Sequence, residues 1–320
     1  MAVKPVVVTI EEHYADADVF GTWRGYDAAK TPDTQRKLID LGDERIAEMD
    51  AAGIDVQVIS HGAPAVQKLD PETAVRMART ANDRLAEAVR AHPARFAAFA
   101  ILPTPDPAAA AAELERAVTQ LGFVGAMVHG LTDGRFIDDK RFWPIFERAA
   151  ALDVPIYVHP AVPHQAVIDA YFADYVGEWP MLIRAAWGYG METATAGIRI
   201  VLSGVLDAYP GTKIILGHMG EGLPFYLWRI NQALARNKFV ARSFREYFTE
   251  HFWITTSGFF SNPALQCALT EMGIDRILYS VDYPFVDNAL GAAWLEGLPL
   301  CAEDRVKFLG GNARKLLRLP

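Results

Sequence analysis

Eight short runs of β-branched and apolar residues recur along this chain, and every run after the first is preceded by a longer stretch with helical spacing, rich in Ala, Glu, Arg and Leu. The runs are Val6 to Glu12, Val56 to Ser60, Phe96 to Leu102, Val124 to His129, Pro155 to His159, Lys213 to His218, Phe252 to Ser257 and Ile277 to Asp282. Asp33 to Ala52, Pro71 to Ala91, Asp106 to Leu121 and Asp139 to Leu152 are amphipathic and open on Asp or Pro, as helix starts do. This alternation is the signature of parallel strands joined by helical crossovers. Eight such units close into an α/β (β/α)8 TIM barrel. An open doubly wound sheet would carry a Gly-rich phosphate loop after its first strand, and no GxGxxG or GxxxxGK[ST] occurs. No linker-like stretch divides the 320 residues, so residues 1–320 are expected to form a single domain. The longest interruption is a helical, aromatic excursion from Ala161 to Thr212, between strands five and six. It holds Tyr171, Phe172, Tyr175, Trp179, Trp187 and Tyr189, a composition that suits a packed excursion or a subunit interface better than a lid.

A formal charge of −8 provides no basic field, and no Lys/Arg-rich stripe interleaves with aromatics, so nucleic acid is not an expected partner. The apolar runs are of strand length, well short of the roughly 20 residues that cross a bilayer. The first residues lack a signal-peptide pattern, so a cytoplasmic location is the expectation. Cys267 and Cys301 form no CxxC pair and read as reduced packing residues.

Polar residues gather where the strands end. Strand one finishes Ile-Glu-Glu-His, strand four in His129, strand five in Tyr-Val-His-Pro, strand six in Leu-Gly-His-Met-Gly-Glu, strand seven in Thr-Thr-Ser-Gly and strand eight in Ser-Val-Asp-Tyr-Pro. In a barrel these C-terminal ends share one face, where such folds carry their chemistry. Alternation along strand one sends Glu11 and His13 to one side and Glu12 to the other, against the helix layer. Glu11, His13, His159 and Asp282 make a mixed set of two imidazoles and two carboxylates suited to one divalent ion such as Zn²⁺ or Mn²⁺. So many ionisable groups would be costly to bury together without such a purpose. His218 and Glu221 leave strand six together, so that Glu221 can orient the imidazole or hold it protonated, or else merely cap a turn. Arg229 is a candidate anion clamp if its helix leans over the mouth. Trp23 is placed either to stack on a substrate or to anchor its loop. His61, His92, His164 and His251 read as surface or packing residues.

Several segments together resemble one family: Ile10-Glu11-Glu12-His13, Ala63-Pro64-Ala65-Val66-Gln67, Tyr157-Val158-His159-Pro160, Leu216-Gly217-His218-Met219-Gly220-Glu221-Gly222-Leu223-Pro224-Phe225, Asp282-Tyr283-Pro284-Phe285 and Gly311-Asn312-Ala313. They are similar to the amidohydrolase superfamily, in the branch of metal-dependent non-oxidative decarboxylases typified by those acting on 2,6-dihydroxybenzoate (γ-resorcylate). The resemblance spans essentially the whole chain. It implies that Glu11, His13, His159 and Asp282 hold one metal ion, with His218 and Glu221 beside it. It implies a small aromatic acid as substrate, ring protonation by Asp282, loss of CO₂ and no organic cofactor. It also implies a homodimer or homotetramer. Relatives commonly show Asn-Ala-Pro after strand two and Val-Asn-Gly after strand four; here stand His61-Gly62-Ala63-Pro64 and Val128-His129-Gly130, which puts His129 forward as a substrate-reading residue or an additional base. Hydrolysis of a lactone, ester or amide uses nearly the same ligands and is the competing function. The Glu-x-His start, where hydrolytic relatives carry His-x-His, and the lack of a bridging Lys favour decarboxylation. A non-catalytic binding barrel would need a replaced ligand, and none is replaced.

Overall fold

The computed structural model describes residues 5–236 and 242–320. All eight strands are present: β1 (Val8–Tyr14), β2 (Val56–His61), β3 (two segments, Phe96–Ala98 and Ala100–Ile101), β4 (Ala126–His129), β5 (Ile156–His159), β6 (Ile214–Leu216), β7 (Phe252–Thr255) and β8 (Ile277–Leu278). Each pairs in parallel with the next. Across the break in β3, Phe99 N–H donates to Ile59 O and Ala100 N–H to Gly125 O, both at 2.9 Å, so the sheet is continuous there. Closure comes just past β8, where Asp282 N–H donates to Glu11 O (3.1 Å) and His13 N–H donates to Tyr283 O (2.6 Å). The architecture is the (β/α)8 barrel.

Strand alternation sorts the core into two layers. Val8, Ile10, Val58, Ala97, Phe99, Met127, Tyr157, Ile215 and Leu278 pack inside the barrel, together with Ala313, Leu316 and Leu317 of the last helix. Their outward neighbours, such as Ile59, Val128, Ile156, Val158, Leu216 and Ile254, pack against the helices. β1 departs from strict alternation. Between Thr9 and Glu12 it runs three residues while β2 runs two, from Gln57 to Ile59, so β1 holds one extra residue. This bulge lets Ile10 and Glu11 both turn inward, and it puts His13 inward and Glu12 outward.

The helices form where capping and composition favour them. Asp70 accepts from Thr73 N–H, and Pro71 opens the helix Pro71–Ala91. The helix expected over Asp33 to Ala52 is two helices, Pro32–Ile39 and Asp43–Ala52. The break is stabilised because Asp40 accepts from Arg45 N–H (2.8 Å) at the start of the second. Arg45 itself is fully buried and acts as a peg. Its guanidinium donates to His13 O (2.6 Å), Asp40 O (2.9 Å), Lys37 O (3.2 Å) and Gln57 Oε1 (3.3 Å), and stands 4.7 Å from the Tyr283 ring centroid. It thus fastens the bulged end of β1, and the segment after β8, to the helix layer.

The excursion between β5 and β6 contains the helices Gln165–Tyr171, Gly188–Leu202 and Val205–Ala208 and the short 3-10 turn Pro180–Ile183. Ile168, Phe172 and Ile183 give it a small core of its own. Arg184 ties it to the loop after β1, donating to Tyr26 O and, at 3.3 Å, to Ala29 O. Among the described residues no helix is long and apolar enough to cross a membrane.

Replacing Arg45 by Met leaves several buried carbonyls unpaired. Unfolding by denaturant should show a loss of at least ~3 kcal/mol. A loss under about 1 kcal/mol would mean that water satisfies those carbonyls.

Candidate metal centre at the barrel mouth

The site is built around Glu11. Its Oε2 accepts hydrogen bonds from Tyr157 and Ser257 hydroxyls and, at 3.4 Å, from Thr255 Oγ1. Tyr157 reaches it because it lies two residues before His159 on β5 and faces the same way; Thr255 and Ser257 come from the end of β7. A side chain at position 217 would put its Cβ 2.7 Å from Oε2, so Gly217 is needed for this cage to close. With Oε2 committed, Oε1 points at three imidazoles: His159 Nε2 at 3.1 Å, and His13 Nε2 and His218 Nε2 each at 3.8 Å. Asp282 Oδ1 lies 3.2 Å from His13 Nε2.

Ligand atoms of Glu11, His13, His159 and Asp282 lie within 4.8 Å of one another. Glu11 Oε1, His13 Nε2 and Asp282 Oδ1 are buried without a hydrogen-bond partner. Buried polar atoms left in this way are expensive unless something else satisfies them. The donor set is two nitrogens and two carboxylates with no thiolate, and it fits one divalent first-row ion. The local electrostatics agree. Burial favours protonation of Glu11, but the charges and close approach of His218, His13 and His159 outweigh it and hold the carboxyl well below its usual range. Burial likewise opposes charge on His13, yet Asp282 and Glu11 push its pKa up to about 9. The carboxylates demand positive charge at this point.

The remaining nitrogens orient the ligands. His13 Nδ1 meets Ser60 Oγ at 3.2 Å. His159 Nδ1 donates to Pro160 O at 2.7 Å, which leaves its Nε2 lone pair for the centre. His129 Nδ1 stands 3.1 Å from His159 Nδ1, and burial followed by the neighbouring His159 holds the His129 pKa well below the ordinary imidazole value. His129 also lines a cavity of ≈ 600 Å³, with Gln67, Lys68 and His164 among its other walls.

Backbone strain is concentrated at the same mouth. His218, Met219, Gly220, Glu221 and Gly222 all take positive φ, between 47° and 78°, and so do Ser257 (40°) and Asp282 (71°). For residues with a Cβ this costs roughly 1–3 kcal/mol each and persists only where the surroundings impose it. The left-handed turn ends β6 at Leu216, before His218. It places His218 Nε2 3.9 Å from Asp282 Oδ2, while His218 Nδ1 is held 2.7 Å from Glu221 Oε1. Burial alone would keep His218 neutral, but Glu221, Glu11 and Asp282 raise its pKa well above the ordinary value.

Chain comparisons agree with this geometry. Residues 13–319 match the family model described as amidohydrolase. The chain belongs to the amidohydrolase family. It is 42% identical over 325 residues to the γ-resorcylate decarboxylase of Polaromonas sp., an alignment covering 98% of each chain. A crystal structure of a dihydroxybenzoic acid decarboxylase from Polaromonas, with bound manganese and the inhibitor 2-nitroresorcinol, superposes with a TM-score of 0.89 at 40% identity, covering 99% of this chain and 98% of that one. The 5-carboxyvanillate decarboxylase of Sphingomonas paucimobilis superposes with a TM-score of 0.92 at 33% identity, covering 99% and 100%.

Within this amidohydrolase mouth the structure brings together Glu11, His13, His159, His218, Glu221, Asp282 and His129. Two of the expected substrate contacts have no direct contact with this cluster among the described residues. Arg229 is exposed on the helix Leu223–Leu234, and among the described residues it has no hydrogen bond or ion pair to the cluster. That helix packs its Leu223, Pro224 and Leu227 inward, which turns Arg229 out. Trp23 is buried as a loop anchor: its Nε1 donates to Ala65 O at 3.2 Å and its ring packs edge-on to His61. His61 is a packing residue, accepting from Asp16 N–H through Nε2 and donating to Gly62 O through Nδ1. Glu12 lies on the outward side of β1, where it pairs with the segment after β8. It accepts from Val281 N–H (2.9 Å), Tyr283 N–H (3.0 Å) and Ser280 Oγ (3.1 Å), which clamps the segment bearing Asp282; burial pushes its pKa up to about 7. The hydroxyls of Tyr157, Thr255 and Ser257 were not singled out by sequence reasoning, although Tyr157 and His159 already stood two apart on one strand.

If the hydroxyl cage sets the direction of Oε1, Tyr157→Phe with Ser257→Ala should weaken divalent-metal affinity about 10- to 100-fold in a chelator competition. Unchanged affinity would show that Glu11 needs no such support.

Proposed function

We propose that this amidohydrolase is a metal-dependent carboxy-lyase that removes CO₂ from a hydroxylated benzoate by protonating its ring. The observation that carries the reading is the donor set of Glu11, His13, His159 and Asp282, three of whose atoms are buried without a hydrogen-bond partner, next to a His218–Glu221 pair, in a chain about 40% identical over its length to γ-resorcylate decarboxylases. A manganese-containing relative supports a divalent ion at those four residues. When bound there, the ion would supply Lewis-acid stabilisation of negative charge on the substrate's oxygens.

The chain's own groups perform the proton chemistry. Direct C–C cleavage would leave an aryl carbanion, so the ring carbon bearing the carboxylate is protonated first. In this reading Asp282 delivers that proton from Oδ2, the oxygen that faces His218 Nε2. Glu221 Oε1 accepts from His218 Nδ1, which fixes the ring with Nε2–H toward Asp282 and favours the imidazolium that resupplies the proton. The C–C bond then breaks, its electron pair restores the aromatic ring, and CO₂ departs. One proton is taken up for each carboxylate lost. His129, beside the ≈ 600 Å³ cavity, is positioned to read a ring substituent.

A homo-oligomer is part of the proposal. Trp179 (65% exposed) and Tyr171 (66%) on the excursion, with Phe225 (75%) and Trp228 (67%) on the helix after β6, expose more aromatic surface than a monomer ordinarily keeps in water. A cytoplasmic location agrees with two unpaired cysteines, one of them exposed.

Headspace CO₂ from a panel of hydroxybenzoates, with metal-loaded and chelated protein, tests the reading. Release from an ortho-hydroxy acid should be lost on chelation and restored by Mn²⁺ or Zn²⁺. Asp282→Asn should lower kcat by at least ~10³-fold, since it removes both a ligand and the proton donor. Acid release from lactones or esters without CO₂ would instead establish a hydrolase.

A further inference from the structure

With Arg229 turned outward, a different cation stands one aromatic ring away from the ligand cluster. Lys30, in the loop after β1, holds its Nζ 5.9 Å from the Trp23 ring centroid and 5.6 Å from that of Phe285. Phe285 follows Asp282 by three residues, is 41% exposed, and lies 5.5 Å from the His13 ring. A single exposed aromatic ring therefore touches both the lysine and the metal-ligand cluster.

Lys30 is poorly satisfied within the chain. Its hydrogen bond is to the backbone carbonyl of Asp27, at 3.0 Å. The Asp27 carboxylate is taken by Lys68, 2.6 Å from its Nζ. Among the described residues no carboxylate forms an ion pair with Lys30. Burial, then the charge of Arg184, lower its pKa to about 8 against the pull of Asp27, so the ammonium remains the major form at pH 7. The hydrogen bonds from Arg184 to Tyr26 O and Ala29 O pin the loop immediately before it. A half-buried ammonium with two uncommitted protons costs free energy that cation–π contact offsets only in part. An anion supplied by the ligand would complete it.

We infer that Lys30 is a specificity-determining residue that binds a second anionic group on the substrate ring, so that the substrate class is a hydroxybenzoate bearing an additional carboxylate. This rests on the decarboxylase reading of the site. A carboxylate suits the position better than a phenol, because a phenol with a pKa near ~10 is neutral at pH 7 and gives an unpaired ammonium less.

The test is calorimetric binding of isophthalate and benzoate to the manganese-loaded protein; neither has the ortho-hydroxyl that turnover needs. The unsubstituted protein should prefer isophthalate by about 10- to 100-fold. Lys30→Met should erase that preference and Lys30→Arg should keep most of it, with benzoate affinity nearly constant throughout. Lys30→Gln, which retains a donor without charge, should behave as Lys30→Met and serves if the Met variant folds poorly. Equal affinity for the two acids in the unsubstituted protein, or a preference that survives in Lys30→Met and Lys30→Gln, overturns the inference. Failure of the decarboxylase reading shows separately, as absence of CO₂ from every hydroxybenzoate while the isophthalate preference persists.

Discussion

A carboxylate buried at the centre of a barrel is tolerable only if each of its oxygens has a defined partner, and the mouth of this barrel is arranged around Glu11 in just that way. Hydroxyls from β5 and the end of β7 bind Oε2. Oε1 is thereby aimed at His13, His159 and His218. The two oxygens of one side chain divide the site between a structural half, which the protein satisfies itself, and a half that a metal ion can complete. The bulge in β1 comes before all of this, because without the extra residue Glu12 and not Glu11 would continue the inward series set by Val8 and Ile10.

The rest of the fold holds this arrangement in place. Ala313, Leu316 and Leu317 pack with the inward strand residues, so the barrel interior is a solid floor beneath the site. Arg45 fastens His13 O from the helix layer, and Glu12 clamps Ser280, Val281 and Tyr283 on either side of Asp282. The Glu12 clamp explains how Asp282 sustains its positive φ, in a mouth where His218, Met219, Glu221 and Ser257 take positive φ as well. Regular strand geometry would carry their side chains away from one another; the strained turns bring His218 and Asp282 face to face.

Much of this was legible in the sequence because hydrophobic periodicity encodes a barrel almost directly. The eight runs became eight strands, and Pro71–Ala91 formed with the expected bounds. Glu11, His13, His159, His218, Glu221 and Asp282 could be singled out because ionisable side chains are rare at the ends of buried strands. What stayed hidden depends on backbone detail or on tertiary contact. Periodicity does not register a one-residue bulge. Hydroxyl side chains are too common for Tyr157, Thr255 and Ser257 to stand out until Glu11 is seen between them. Arg229 looked like an anion clamp because its sequence distance from His218 is short, but the helical turn that buries Leu223 and Leu227 points it to the surface. Lys30 gave no signal in a loop; only the folded chain brings it over Phe285.

The central claim is that one divalent ion completes the half of Glu11 that the protein leaves open. Anomalous diffraction from crystals of the protein grown with Mn²⁺ addresses it most directly. The account predicts a single strong peak within coordination distance of Glu11 Oε1, His13 Nε2, His159 Nε2 and an Asp282 oxygen. A peak bound elsewhere, or catalytically competent crystals with no peak among these four residues, would contradict it.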